Sequence, residues 1–413
     1  MSASSPTMTV ADGGGRLHRS INWTGAFWIA SGVPALVLFS IGGIAGNVGT
    51  FAFMIWILSM IMGFIQSFTY AEIAGLFPNK SGGASVYGAT AWLRYGKFIA
   101  PLSVWCNWIA WTPVLSLGCS IAASYILNAI APIPAAESAA AVQWLAAHAG
   151  AKPEDAVAAL APAIRTWALL SFKIPGIVDV SINATFFIGA VLMLIVFAIQ
   201  HRGILGTARV QMWIGLLVIV PMLIVGVVPL FNGAVDWNNF APLVPLAKPY
   251  EAAPGAWNVP GLTLVFGAMF IAAWSTYGFE TAICYTSEFR DPAKDTFKAI
   301  FYSGLLCMLL FTLVPFTFQG VLGLQGMLAT PIVDGSGVAE AMAQMVRGGP
   351  VVNGLLQMLM ILALLLCIMT AMAGSPQYST LLAMMPTPTV PAQSVTQGNS
   401  APRCSRISRA CGP

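Results

Sequence analysis

The sequence predicts an all-α, polytopic membrane protein with about eight transmembrane helices, and three observations carry that reading. Of its 413 residues, 58% are hydrophobic and 8% charged, where soluble domains run at about 25% charged. Its mean hydropathy is +0.80. The apolar residues are also gathered into runs long enough to cross a bilayer, whose hydrocarbon core of about 30 Å takes roughly 20 residues of helix. Those runs cover about 27–47, 51–76, 98–130, 177–199, 210–231, 261–284, 299–323 and 353–373. The segment 1–20 is polar and Gly-rich, and the span after it is too long and too closely followed by others to be a cleaved signal peptide.

Orientation follows from the basic residues between spans. With a cytoplasmic N-terminus, the inner connections and tail hold 13 Lys and Arg, among them Arg19, Arg202, Arg209, Arg290, Lys294 and Lys298, and the outer connections hold 5: Lys152, Arg165, Lys173, Lys248 and Arg347. Eight crossings then return the chain inside, so both termini are expected to be cytoplasmic in a cell or plasma membrane. The loop 131–176 reads as a solvated outer segment with room for a short amphipathic helix.

This composition excludes a cytosolic enzyme, a nucleic-acid binder and a disordered protein. His18, His148 and His201 fall outside the apolar runs and no HExxH occurs, so no intramembrane metal centre, cofactor or enzyme chemistry is expected. Cys106, Cys119, Cys284, Cys307 and Cys367 lie in or beside spans and are expected to pack as small hydrophobes. A channel would usually show a ring-forming selectivity segment, and none is seen.

Two spans are not ordinary helices. The first carries Ser40, Gly42, Gly43, Ile44 and Gly46 in one stretch, and each Gly weakens a helix by up to about 1 kcal/mol. The sixth carries Ala273-Trp274-Ser275-Thr276-Tyr277-Gly278-Phe279-Glu280. Corresponding interruptions in two halves of a membrane chain point to a binding site between repeats. A half-helix beginning near Gly43 and Ile44 would offer N–H groups to a carboxylate, and one ending near Ala273 and Trp274 would offer C=O groups to an ammonium. Gly43→Leu would then block binding. Glu280 adds an ionisable group at membrane depth, which costs on the order of 2.5–3.5 kcal/mol on insertion scales and is seldom kept for packing. It is the candidate coupling residue, and its bland alternative is a side chain that snorkels to the nearby surface.

At these residues the sequence resembles the amino acid/polyamine/organocation (APC) permease superfamily. The segment 40–44 resembles that family's break in helix one, with Ser40 where the first Gly is usual. Glu72-Ile-Ala-Gly-Leu-Phe-Pro78 with Gly82-Gly83-Ala-Ser-Val-Tyr87 resembles the end of helix two and its loop. The strongest match is 274–280 followed by Glu288-Phe-Arg-Asp-Pro292 and Lys298-Ala-Ile300. The resemblance covers roughly 21–375. It implies a LeuT-like fold of inverted repeats with helices 1 and 6 discontinuous, and secondary transport of an amino acid or related amine across the bilayer. Choline or a polyamine is the alternative cargo. It also implies that Trp274 gates the substrate and that Asn107, Trp108 and Trp111 line its far wall. The coupling ion stays open between proton and sodium: the fifth span, 210–231, has no Lys to fill a cation position, and Thr370 is a weak sodium candidate.

The sequence departs from that pattern after residue 375. Residues 376–413 hold six Pro, five Ser, three Arg and no acidic residue, a composition that cannot pack a core. The expected organisation is therefore a cytoplasmic segment 1–20, an incomplete permease-like domain 21–375 lacking the C-terminal part of its second repeat, and a disordered tail 376–413, possibly frameshifted. An inactive truncated fragment is the corresponding alternative.

Overall fold

The computed structural model describes residues 19–78, 82–92, 95–96, 98–132, 139–148, 150–174, 178–245, 255–333 and 335–374. The expectations for the segment before residue 19 and for the tail after residue 374 lie outside the described residues. Within them the chain is almost entirely helical. The first crossing is α1 (Trp23–Ile29), a 3-10 segment Ala30–Leu36, and α2 (Val37–Val48). After a turn at Gly49, where φ is +65°, α3 (Ala52–Leu76) returns. A short α4 (Ala84–Trp92) leads to α5 (Ile99–Ile130). Outside the spans lie α6 (Ala139–Ala147), α7 (Pro153–Leu160), α8 (Ala163–Thr166), β1 (Ala168–Ile174) and β2 (Val178–Asn183). The chain then crosses as α9 (Ala184–His201), α10 (Ile204–Phe231), α11 (Val259–Thr276) with a 3-10 continuation Tyr277–Ile283, and α12 (Pro292–Met327). Short α13 (Thr330–Val333) and α14 (Val338–Met345) precede the last crossing, α15 (Pro350–Gly374).

Six helical runs are long and apolar enough to cross a membrane, the first of them 54 residues folded back at Gly49, and Val259–Trp274 is a shorter apolar helix. Among the described residues these runs allow eight crossings, and the protein is an integral multi-pass membrane protein. The helix ends place Arg19, Arg202, Arg290, Lys294 and Lys298 on one face, called here the basic face, and Lys152, Arg165, Lys173 and Arg347 on the opposite one.

Local chemistry sets several boundaries. Asn22 caps α1 by accepting from the Gly25 N–H at 3.1 Å, and Asn183 caps α9 by accepting from Phe186 N–H at 3.1 Å. The cap at Asn183 corrects the expected fourth span. It starts at Ala184, not 177, because β1 and β2 form an antiparallel hairpin in which Phe172 faces Val180 and Lys173 faces Asp179. Period-two alternation in Val178-Asp179-Val180-Ser181 suits a ribbon, whereas an apolar count alone absorbs it into the helix. The sixth span likewise ends as α-helix at Thr276, earlier than residue 284.

At the basic face the two broken crossings are tied together. The N–H groups of Ser20 and Ile21 donate to Glu288 O at 3.0 and 3.2 Å, and Arg290 N–H donates to Ile21 O at 2.9 Å. Gly82 N–H donates to Cys284 O at 2.8 Å, so the Gly82-Gly83 loop docks on the segment after the sixth crossing. On the opposite face Gln319 donates to Thr50 O at 2.7 Å and Tyr125 to Gly335 O at 2.5 Å. The core between these ties is apolar and continuous, running from Val33 through Ile55, Val218 and Phe311 to Ile368.

Candidate functional site

The first crossing is interrupted, but not where the glycines suggest. Residues 37–48 form unbroken α-helix through Ser40, Gly42, Gly43 and Ile44, and the departure from α geometry lies at Ala30-Ser31-Gly32-Val33-Pro34-Ala35-Leu36. The reason is that Pro34 has no N–H and its ring crowds the carbonyl four residues back, costing about 3 kcal/mol in a helix interior. A Gly removes no hydrogen bond and costs about 1. Ser40 is held within its helix, its hydroxyl donating to Leu36 O at 2.8 Å. Gly42 is a packing residue: a Cβ there would stand 2.6 Å from Ile332 O. Gly43 faces open space, with nothing within 4 Å of a Cβ. Ile44 is fully buried in the core. The N–H donors expected near Gly43 and Ile44 are therefore inside a helix, and the expectation that Gly43→Leu blocks binding loses its geometric basis.

Non-helical backbone at membrane depth is tolerated only where protein groups satisfy it, and here two other helices do so. The Thr370 hydroxyl of α15 donates to Ile29 O at 2.7 Å and accepts from Gly32 N–H at 3.1 Å. Cys367 donates from its thiol to Gly32 O at 3.0 Å. From α10, the Gln211 amide donates to Ile29 O at 3.2 Å and to Thr370 Oγ1 at 3.1 Å. Residues 30–36 are all buried, as are Gln211 and Thr370. Gln211→Leu deletes these donors at unchanged bulk, so its thermal midpoint in detergent should fall by several degrees, consistent with about 1–3 kcal/mol for unmade buried hydrogen bonds. An unchanged midpoint would show that the amide contributes nothing to the latch.

The sixth crossing gives way within the stretch that the sequence singles out. The α-helix stops at Thr276 and a 3-10 turn runs to Ile283. This turn packs on the 30–36 segment. A Cβ on Gly278 would lie 3.0 Å from Val33 Cγ2 and 3.1 Å from Trp111, and Trp111 also approaches Gly374, 3.2 Å from a Cβ there. Thr281 closes the turn by donating to Gly278 O at 2.6 Å. Of the residues expected to line the site, Gly278 and Trp111 come together with the true break in the first crossing. Ala273 lies one turn away on α11. Trp274 is 46% exposed, and Trp108, at 45%, packs edge-on against Trp105. The Asn107 Oδ1 is buried with no hydrogen-bond partner among the described residues. The Ser275 side chain lies outside the described residues.

Glu280 sits in the 3-10 turn, its Oε2 shut off from solvent and without a hydrogen-bond partner among the described residues. Cys284 follows it four residues on, and α12, which carries Cys307, packs on the same turn. All five described cysteines are free thiols, and only Cys106 is exposed.

Two interrupted crossings, packed break to break and stitched by side chains from two further helices, form the kind of centre around which membrane carriers are built. A family model described as amino acid permease matches residues 21–384. The chain belongs to the amino acid permease family. It is thus a transporter that moves a small molecule across the lipid bilayer, as the resemblance implied. No curated protein matches it significantly. The residues that sequence reasoning missed in this permease, Ser31, Gly32, Val33, Cys367 and Gln211, had one legible signal: Pro34 is the sole proline of the first span.

Proposed function

We propose that this permease is a secondary active transporter of an amino acid or a related amine, working by alternating access around the two breaks. The observation that carries the reading is the contact between the 30–36 and 277–283 segments. Backbone N–H groups of the first break beside Ser31 and Val33 would suit a carboxylate, the Gly32 N–H being taken by the Thr370 hydroxyl. Carbonyl groups where α11 ends, from Ala273 onward, suit an ammonium. Gly278 and Trp111 pack where the two breaks meet and would limit the size of a side chain bound there. Such a receptor needs no charged side chain, in keeping with a chain that has so few in its spans.

Coupling is assigned to a proton at Glu280 rather than to sodium at Thr370. The Thr370 hydroxyl and the Ile29 carbonyl, the oxygen ligands that a sodium ion would need there, are already engaged with each other and with the Gln211 amide. The basic face is read as cytoplasmic on the charge rule. Uptake of a panel of radiolabelled amino acids, polyamines and choline into proteoliposomes tests the assignment. Saturable uptake of one amino acid or amine, driven by an imposed pH gradient and indifferent to sodium, is expected. Sodium-dependent uptake, or transport of none of the panel, would overturn it.

A further inference from the structure

The extensive interface between α3 and α12 carries polar groups that substrate binding does not use. The two helices run antiparallel in a register fixed by aromatic contacts: Phe68 meets Phe297 at 6.0 Å between ring centroids, Phe64 meets Phe301 at 5.9 Å, and Trp56 stacks on Phe311 at 5.5 Å. In that register Ser59 stands across from Cys307, Gly63 from Ser303, and Ser67 from Ile300. All these residues are buried. Two hydroxyls on the α12 side are orphans: Ser303 Oγ and Thr296 Oγ1 lie in residues 3% and 2% exposed, with no hydrogen-bond partner among the described residues. A buried hydroxyl left without a partner costs on the order of 1–3 kcal/mol, which ordered water removes where the space is polar. At its basic-face end the seam opens into a cleft of about 300 Å³ lined by Glu72, Gly75, Ala71, Thr296, Phe68 and Phe297. At its inner end stands Cys307, on the helix that packs against the 277–283 turn carrying Glu280.

We propose that this seam is a water-filled proton path, connecting the carboxyl of Glu280 through Ser303 and Thr296 to the cleft at Glu72. It rests on the coupling role given to Glu280 above. The proton leaves the Glu280 carboxyl for a water at Ser303, passes along waters at Ser67 and Thr296 by successive transfer, and reaches bulk solvent beside Glu72; the return uses the same chain. Ser303, at two turns from Thr296 and one from Cys307 on the same helix face, spaces the relay at about 6–10 Å, with the α3 hydroxyls between. Titratable and charged groups facing Glu280 from the elements packed on its turn are few. α12 brings Cys307, with Tyr302, Lys298, Asp295 and Lys294 towards its start; α3 brings Tyr70 and Glu72, and α15 brings Cys367. The 30–36 segment, α1 and α11 bring none, α5, whose Trp111 meets the turn at Gly278, brings Cys106, Cys119 and Tyr125 along its length, and Cys284 follows on the same stretch of chain. The seam therefore holds the chain of proton-exchanging groups that leads from Glu280 to the surface.

The test uses the full chain in sided vesicles with a charged, membrane-impermeant methanethiosulfonate reagent, read by peptide mass so that native cysteines serve as internal references. S303C and T296C should be modified at least tenfold faster from the basic face than the lipid-facing L305C or the buried Cys367. In parallel, S303A combined with T296V should lose at least fivefold in accumulation driven by a pH gradient, while substrate counterflow stays within twofold. An S303C that stays unmodified where T296C reacts would show a dry seam and sink the path. So would a labelled seam whose double variant accumulates substrate like the parent. A failure of the coupling role itself reads differently, as an E280Q protein with an unchanged pH profile. Modification of T296C from the opposite face alone would overturn the cytoplasmic placement of the basic face.

Discussion

Gly32→Ala should abolish uptake and lower the yield of folded protein, whereas Gly43→Ala, three turns along the same crossing, should leave both intact. The difference lies in what a Cβ meets. At Gly32 it would stand 2.4 Å from the Leu366 carbonyl oxygen and 2.5 Å from Thr370 Oγ1. The first is backbone of α15, which cannot move without shifting the helix. The second is the hydroxyl that bonds both Gly32 N–H and Ile29 O. A single methyl therefore overpacks the contact, at about 1–3 kcal/mol in ordinary cores, and also pushes out the group that satisfies the break, at about 1–3 kcal/mol more. At Gly43 the same methyl meets nothing within 4 Å and raises helix propensity. Yield, thermal midpoint and substrate uptake of the two variants side by side decide the matter. Equal behaviour of the pair would move the working break back toward residues 40–46.

That contrast also shows what the sequence could and could not convey. The apolar runs were legible because hydrocarbon imposes a length on every crossing, although the fourth began seven residues late and the sixth left α geometry early. The break in the sixth crossing was legible because Gly278 and Glu280 stand together in an otherwise apolar run. The break in the first was misplaced because three glycines look weaker than one proline when residues are counted, and a missing N–H outweighs them when hydrogen bonds are counted. Gly42 illustrates the point from the other side, since its role is to admit the Ile332 backbone, a contact 290 residues away that no local pattern encodes. Gln211 and Cys367 were invisible for a similar reason. A Gln or a Cys inside an apolar span has no meaning until the helices are packed and its partner is seen to be the freed carbonyl of Ile29 or Gly32. The hairpin 168–183 was hidden by its own apolar strands, with Leu169, Leu170 and Phe172 all exposed.

Glu280→Gln should uncouple the permease without emptying its site. The carboxamide keeps the size of the side chain and one acceptor oxygen but cannot take up or release a proton. The residue stands beside the substrate region without closing it: the contacts between the two breaks run through Val33, Gly278 and Trp111, and the Glu280 Oε2 is buried with no hydrogen-bond partner among the described residues. Substrate binding and counterflow, which need only the site and the alternation, are therefore expected within twofold of the parent. Accumulation is another matter. One pH unit is worth about 1.36 kcal/mol, so a carrier that moves one proton with each substrate can hold about a tenfold concentration ratio across a gradient of one unit. A carrier that moves none equilibrates at a ratio of one. The Gln protein in proteoliposomes with one pH unit imposed should show that tenfold loss, together with a flat dependence of uptake on pH. The physical reason for keeping a carboxyl at this depth, against an insertion cost of on the order of 2.5–3.5 kcal/mol, is then the proton it carries. A Gln variant that accumulates substrate tenfold under the same gradient would mean that the charge is retained for structure, and that the proton travels by a group elsewhere in the permease.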